Sequence, residues 1–193
     1  MKRPAFVLRS ETSDGQRRNY YQLKNNFMES PDDGNVLTIV RVFDAPRELV
    51  WKAWSDPELY KKWWGPKIFS CPVVKIDFRV GGKFLGCMLG MEGDFKGKEF
   101  WSTGTYKEIV PMEKIVVTDS FSDEKGNVVS SEHYGMKGMP LEMLVTVTFE
   151  EMPRNKTKMT LKHEGIKDIP DEHRKGMDQG WNESFDKMAE NAL

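Results

Sequence analysis

The chain has 193 residues, 38% hydrophobic and 31% charged, a composition that supports one substantial folded domain and is short for two. Its formal net charge is −1, unevenly placed: Lys2, Arg3, Arg9, Arg17, Arg18 and Lys24 against Glu11 and Asp14 give residues 1–27 a net +4 and leave a −5 body that repels phosphate backbones, so no nucleic-acid partner is expected. No apolar run approaches the roughly 18–20 residues that cross a bilayer, Arg9-Ser10-Glu11-Thr12 cuts off any secretory signal, and the two cysteines, Cys71 and Cys87, fit a reducing compartment; no membrane partner and a cytoplasmic location are the expectation.

Residues 1–35 show no sustained period of 2 or 3.6 and end in the turn-rich Ser30-Pro31-Asp32-Asp33-Gly34-Asn35, which reads as a disordered or weakly ordered extension. Order begins only after Met28, which suggests Met28 as the native start. Val36–Phe43 is a β-branched, apolar strand. Pro46 then suits a first helical position, with Glu48 in the first turn and Leu49, Val50, Ala53 and Trp54 on one face. Ser55-Asp56-Pro57 breaks that helix, and a second short one is expected to run to Trp64 before Gly65-Pro66. Strands follow at Phe69–Phe78, Lys83–Met91, Phe100–Ile109, Lys114–Phe121, Leu141–Glu151 and Thr157–His163. The short links between successive strands imply antiparallel neighbours, and residues 128–140 form the one connection long enough to be a flap. A hairpin turning near Gly81-Gly82 would set Cys87 opposite position 76, out of reach of Cys71. After Pro170 the period becomes helical: Met177, Trp181, Phe185 and Met188 mark one face of a helix from about Asp171 to Asn191. Its neighbours Gly176 and Gly180 allow something to approach the helix axis. These elements make an α+β domain over residues 36–193, a curved antiparallel sheet wrapped around a long C-terminal helix, with two short helices after the first strand.

Arg41-Val42-Phe43-Asp44-Ala45-Pro46-Arg47-Glu48-Leu49-Val50-Trp51-Lys52-Ala53-Trp54-Ser55-Asp56-Pro57 carries a family resemblance. Trp63-Trp64-Gly65-Pro66, Asp77-Phe78-Arg79-Val80-Gly81-Gly82, Gly104-Thr105-Tyr106-Lys107-Glu108-Ile109, Val147-Thr148-Phe149-Glu150, Thr160-Leu161 with His163-Glu164-Gly165, and Gly180-Trp181 continue it in order. This ordered string resembles the AHSA1-like family, homologues of the activator of Hsp90 ATPase, within the START-like (SRPBCC) helix-grip superfamily. The resemblance implies a cavity between the final helix and the sheet. It implies a chaperone as one partner, and START-like relatives imply an enzyme on polyketide-like or aromatic substrates as a further alternative.

The motifs of common chemistries are missing. His163-Glu164 opens an H-E-x-x-H pattern, but Lys167 stands where its second histidine belongs, and neither the three histidines nor the two cysteines have metal-ligand spacing, so no metal is assigned. Gly81, Gly82, Gly86, Gly90, Gly93 and Gly97 complete no phosphate-binding fingerprint and read as bends and close approaches in a curved sheet. No G-x-S-x-G occurs, and no cofactor is implied. No catalytic residue is assigned. Asp77, Arg79 and His163 are polar candidates, either for a concavity or, for Asp77 and Arg79, as an ion pair bracing the Gly81-Gly82 turn. Trp64, Phe84, Met88, Trp101, Tyr106, His133 and Trp181 are the candidate cavity lining, since Trp beside a cavity offers an apolar wall with one N–H donor and Met an adaptable one. The expectation is a binding domain for an apolar or amphipathic small molecule rather than an enzyme.

Overall fold

The computed structural model describes residues 34–193. The extension read over 1–35, all but its last two residues, and the proposed start at Met28 lie outside the described residues. Strand β1 (Val36–Phe43) leads into helices α1 (Arg47–Ser55) and α2 (Pro57–Tyr60). Strands β2 (Phe69–Ser70), β3 (Val74–Ile76), β4 (Lys83–Gly90), β5 (Glu99–Val110), β6 (Lys114–Ser122), β7 (Met143–Met152) and β8 (Lys156–Glu164) follow, and helix α3 (Asp171–Asn191) closes the chain. The eight strands form one antiparallel sheet in the order β1-β8-β7-β6-β5-β4-β2, with β3 also paired to β4.

Period-2 alternation decides which side chains face α3. From β8 these are Thr157, Met159, Leu161 and His163; from β7, Met143, Val145, Val147 and Phe149, all buried. Helix α3 answers with Trp181, Phe185 and Met188, also buried, while Met177 is half-buried nearer the helix start. Removing Trp181 from water alone covers about 200 Å² and is worth at most about 5 kcal/mol. At the sheet edge the Arg41 guanidinium pairs with Asp186 and donates to Asn182 Oδ1 (3.4 Å), fastening β1 to the helix.

The tryptophans of α1 and the turn after α2 are chiefly anchors. Trp51 meets Phe78 and Phe149 edge-on, Trp54 Nε1 donates to Met159 Sδ (3.3 Å), and fully buried Trp63 donates to the Ala53 carbonyl (2.7 Å). For Trp54 and Trp63 the aromatic body lies in the core while the N–H finds an acceptor, the usual condition for burying indole.

Three local expectations are corrected. The single strand over Phe69–Phe78 is two short strands, because Pro72 has no N–H for the ladder. The second helix ends at Tyr60, and a turn carries the chain on to Trp64. The β3–β4 hairpin closes where Asp77 N–H donates to the Lys83 carbonyl, so its loop is residues 78–82, not a tight turn at Gly81-Gly82. Cys87 therefore sits opposite Val73, to whose carbonyl it donates (2.9 Å), rather than opposite position 76; both cysteines are buried and free.

Candidate functional site

Between the first half of α3 and the β4–β8 part of the sheet lies a cavity of about 360 Å³. Its walls are largely aromatic and thioether: Phe69, Phe100, Phe121, Met88, Met143 and Met177 contribute, with Trp64 and Trp181 at the inner side. The segment between β6 and β7, read as a flap, supplies Met136 and Met139. Tyr134 holds that segment to the sheet, its hydroxyl donating to the Ser122 carbonyl (2.6 Å) and accepting from Trp101 N–H (3.0 Å). Exposure runs from Phe95, Glu172 and Gly176, which are open to solvent, to His163 at 2%, so one end is open and the other buried.

The buried end is polar. Asp119 follows Ile115 and Val117 in the inward phase of β6, and 17% of its side chain remains accessible although it is deep in the fold, because it borders the cavity. Burial raises its carboxyl to about 6. Across from it, His163 on β8 brings Nε2 to 3.4 Å from Asp119 Oδ2. Trp181 Nε1 donates to His163 Nδ1 (3.1 Å), so the neutral ring carries its proton on Nε2, facing the carboxylate. Burial pushes the His163 imidazole down to about 4, so near neutral pH the pair is a carboxylate beside a neutral histidine. Three buried polar atoms of cavity residues, His163 Nε2, Trp64 Nε1 and Ser102 Oγ, have no hydrogen-bond partner among the described residues. Lys187, on the same helix, is committed elsewhere: its ammonium donates to the carbonyls of Gly65 (2.9 Å), Phe69 (2.8 Å) and Trp64 (3.4 Å), tying α3 to the chain beyond α2.

Of the residues singled out in the sequence, Trp64, Met88, His163 and Trp181 line this cavity. Phe84 and Tyr106 lie deeper, around a gap of about 20 Å³ that shares Trp64, Asp119 and Trp181 with it. Trp101 is on the opposite face of β5, one residue out of phase with Phe100 and Ser102, where its Nε1 donates to Glu99 (3.0 Å). His133 is exposed on the flap, edge-on to Tyr134. Asp77 and Arg79 are exposed and paired with each other (2.9 Å) at the β3–β4 loop, so they brace that loop and do not meet His163. Asp119 and Ser102 went unread in the sequence. Their signal was phase: a carboxylate two residues after Val117, and a serine two after Phe100, on strands whose alternate positions are inward.

Residues 44–192 match the family described as activator of Hsp90 ATPase homolog 1-like protein. The chain belongs to this family. A crystal structure of a protein from Chromobacterium violaceum is 32% identical, with TM-score 0.64 over 81% of this chain and 95% of that one. A solution structure from Arthrobacter aurescens is 26% identical, with TM-score 0.67, covering 84% and 92%. The AHSA1 protein of Silicibacter pomeroyi, 21% identical with TM-score 0.60 over 80% and 94%, shares the fold. No curated protein matches the chain. Among the described residues no helix is long and apolar enough to cross a membrane.

Proposed function

We propose that this AHSA1-like domain binds a small amphipathic molecule between α3 and the sheet. The observation that carries the reading is the cavity itself: about 360 Å³, open at one end, walled by aromatic and methionine side chains, with Asp119, His163 and Ser102 among its lining where it is buried. That volume falls in the lower part of the range used for small ligands, and convergent polar groups in an apolar cleft are what orient a ligand. Methionines on both the helix and the flap let the wall adapt to the shape it receives. The test is native mass spectrometry of freshly isolated protein together with melting measurements against a panel of amphipathic compounds. Retained mass or a ligand-dependent rise in Tm is expected; consistently empty protein with no rise in Tm rejects the reading.

A second reading, an interaction partner of Hsp90, is supported by the family description alone. Pull-down and ATPase stimulation with the host's Hsp90 separate it from ligand binding. An enzymatic reading places proton transfer at Asp119, the carboxylate at the buried end, with His163 beside it. It requires that Asp119→Asn abolish turnover while the variant still melts cooperatively as a folded protein.

A further inference from the structure

We propose that the ligand is a lipophilic amine, bound as its cation with the ammonium directed at Asp119. This rests on the ligand-binding reading above and deepens it by fixing the head-group charge.

The cavity's fixed charges are of one sign. Its titratable lining consists of Asp119 and His163 at the buried end and Glu172 and His173 on the first turn of α3, and among the described residues no Lys or Arg lines it. Lys187, on the same helix as Trp181, has its ammonium held by three carbonyls. His163 approaches Asp119 to 3.4 Å but is neutral, its Nδ1 is already occupied by the Trp181 N–H, and its Nε2 makes no hydrogen bond among the described residues, so it lends the carboxylate no charge. An apolar or anionic ligand entering this space strips water from the Asp119 carboxylate and returns nothing for it. A cation compensates the charge where it is buried.

The walls agree. Trp64, Trp181, Phe69, Phe100 and Phe121 surround the same volume, and aromatic faces attract an organic cation. Fatty-acid-like carboxylates and phosphates find no counter-charge and meet two carboxylates. Trp64 Nε1 and Ser102 Oγ, both buried without partners among the described residues, are suited to a hydroxyl or ether oxygen of the ligand.

The experiment uses three probes with one apolar body and different heads: naphthylethylamine, naphthylethanol and naphthylacetate, titrated calorimetrically into the full-length protein at pH 7.5. The amine is expected to bind at least about tenfold tighter than the carboxylate. Asp119→Asn, which keeps the shape and removes the charge, is expected to level the amine with the alcohol, by weakening the amine while alcohol binding is retained or tightened as the cost of desolvating the carboxylate disappears. Retained alcohol binding reports that the variant cavity is intact. Equal or tighter binding of the carboxylate, or an amine preference that survives in the Asn variant, overturns the cation assignment while leaving ligand binding standing. Failure of all three probes to bind counts against ligand binding itself and takes the cation assignment with it.

Discussion

Asp119 and His163 are two ionisable groups buried side by side, and burial moves them in opposite directions. For Asp119 the folded carboxyl titrates at about 6 against an ordinary 3.8, so between pH 4 and 6 the folded state holds more protons and stability falls as pH rises. For His163 the folded imidazole titrates at about 4 against 6.5, so over nearly the same window the unfolded state holds more protons and stability rises with pH. Each shift corresponds to about 3 kcal/mol, and in the wild type the two slopes largely cancel. Single variants should uncover them. Asp119→Asn leaves the histidine slope, so Tm climbs from pH 4.5 to 7; His163→Gln leaves the carboxylate slope, so Tm falls over that range. Thermal melts at closely spaced pH values check this, and parallel profiles for both variants would contradict it. The pair also shows what a sequence discloses at this scale. His163 was visible as the polar end of a family string, but Asp119 acquires meaning only when strand phase is combined with the depth of its neighbours Ile115 and Val117.

At the scale of elements, the curvature that makes a cavity depends on close backbone contact in the middle of β5. A Cβ on Gly104 would fall 1.7 Å from the Thr118 carbonyl oxygen and 2.6 Å from the Phe84 ring. The first of these is backbone and cannot rotate aside. The register between β5 and β6 also slips between Tyr106 and Glu108, one bulge beyond that glycine. Gly104 thus stands between positions that serve different volumes, Phe100 and Ser102 the cavity and Tyr106 the core gap. Gly104→Ala should therefore cost about 2–3 kcal/mol or more, a loss read from urea melts, whereas the same change at an open strand position is nearly neutral. Unchanged stability would mean that the sheet relaxes there freely. The elements themselves were largely legible: helix α3 has the predicted bounds, since a 21-residue amphipathic run after Pro170 admits little else. The misreadings are at Cys71-Pro72-Val73 and the 78–82 loop, where a missing N–H and a longer loop override strand-like composition, and beyond Tyr60, where a turn replaces the expected helix.

Across the whole molecule, helix α3 does two jobs that ask for different residues along its length. Its second half is core, with Phe185 and Met188 fully buried; its first half roofs the cavity and carries two glycines, each costing the helix about 1 kcal/mol relative to alanine. The two are not equivalent. Gly180 lies under Pro66, whose Cγ would be 3.3 Å from an added Cβ, so there the missing side chain serves packing between helix and loop. Gly176 meets nothing within 4 Å among the described residues, so there the missing side chain leaves open space at the solvent-exposed end of the cavity it borders. Spacing by four announced that both lie on one side of the helix, but only the surroundings distinguish a contact from a void. Gly176→Ala should raise stability by about 0.5–1 kcal/mol, because helix propensity improves and nothing clashes. Gly176→Phe should keep a Tm near that of the Ala variant, because its ring can occupy the cavity among methionines that adjust to it. Any ligand held there should lose affinity at least about tenfold by competition for the same volume. Melting temperature and calorimetric affinity measured on both variants decide the point. Undiminished affinity in a well-folded Phe variant would place the ligand somewhere other than under this helix.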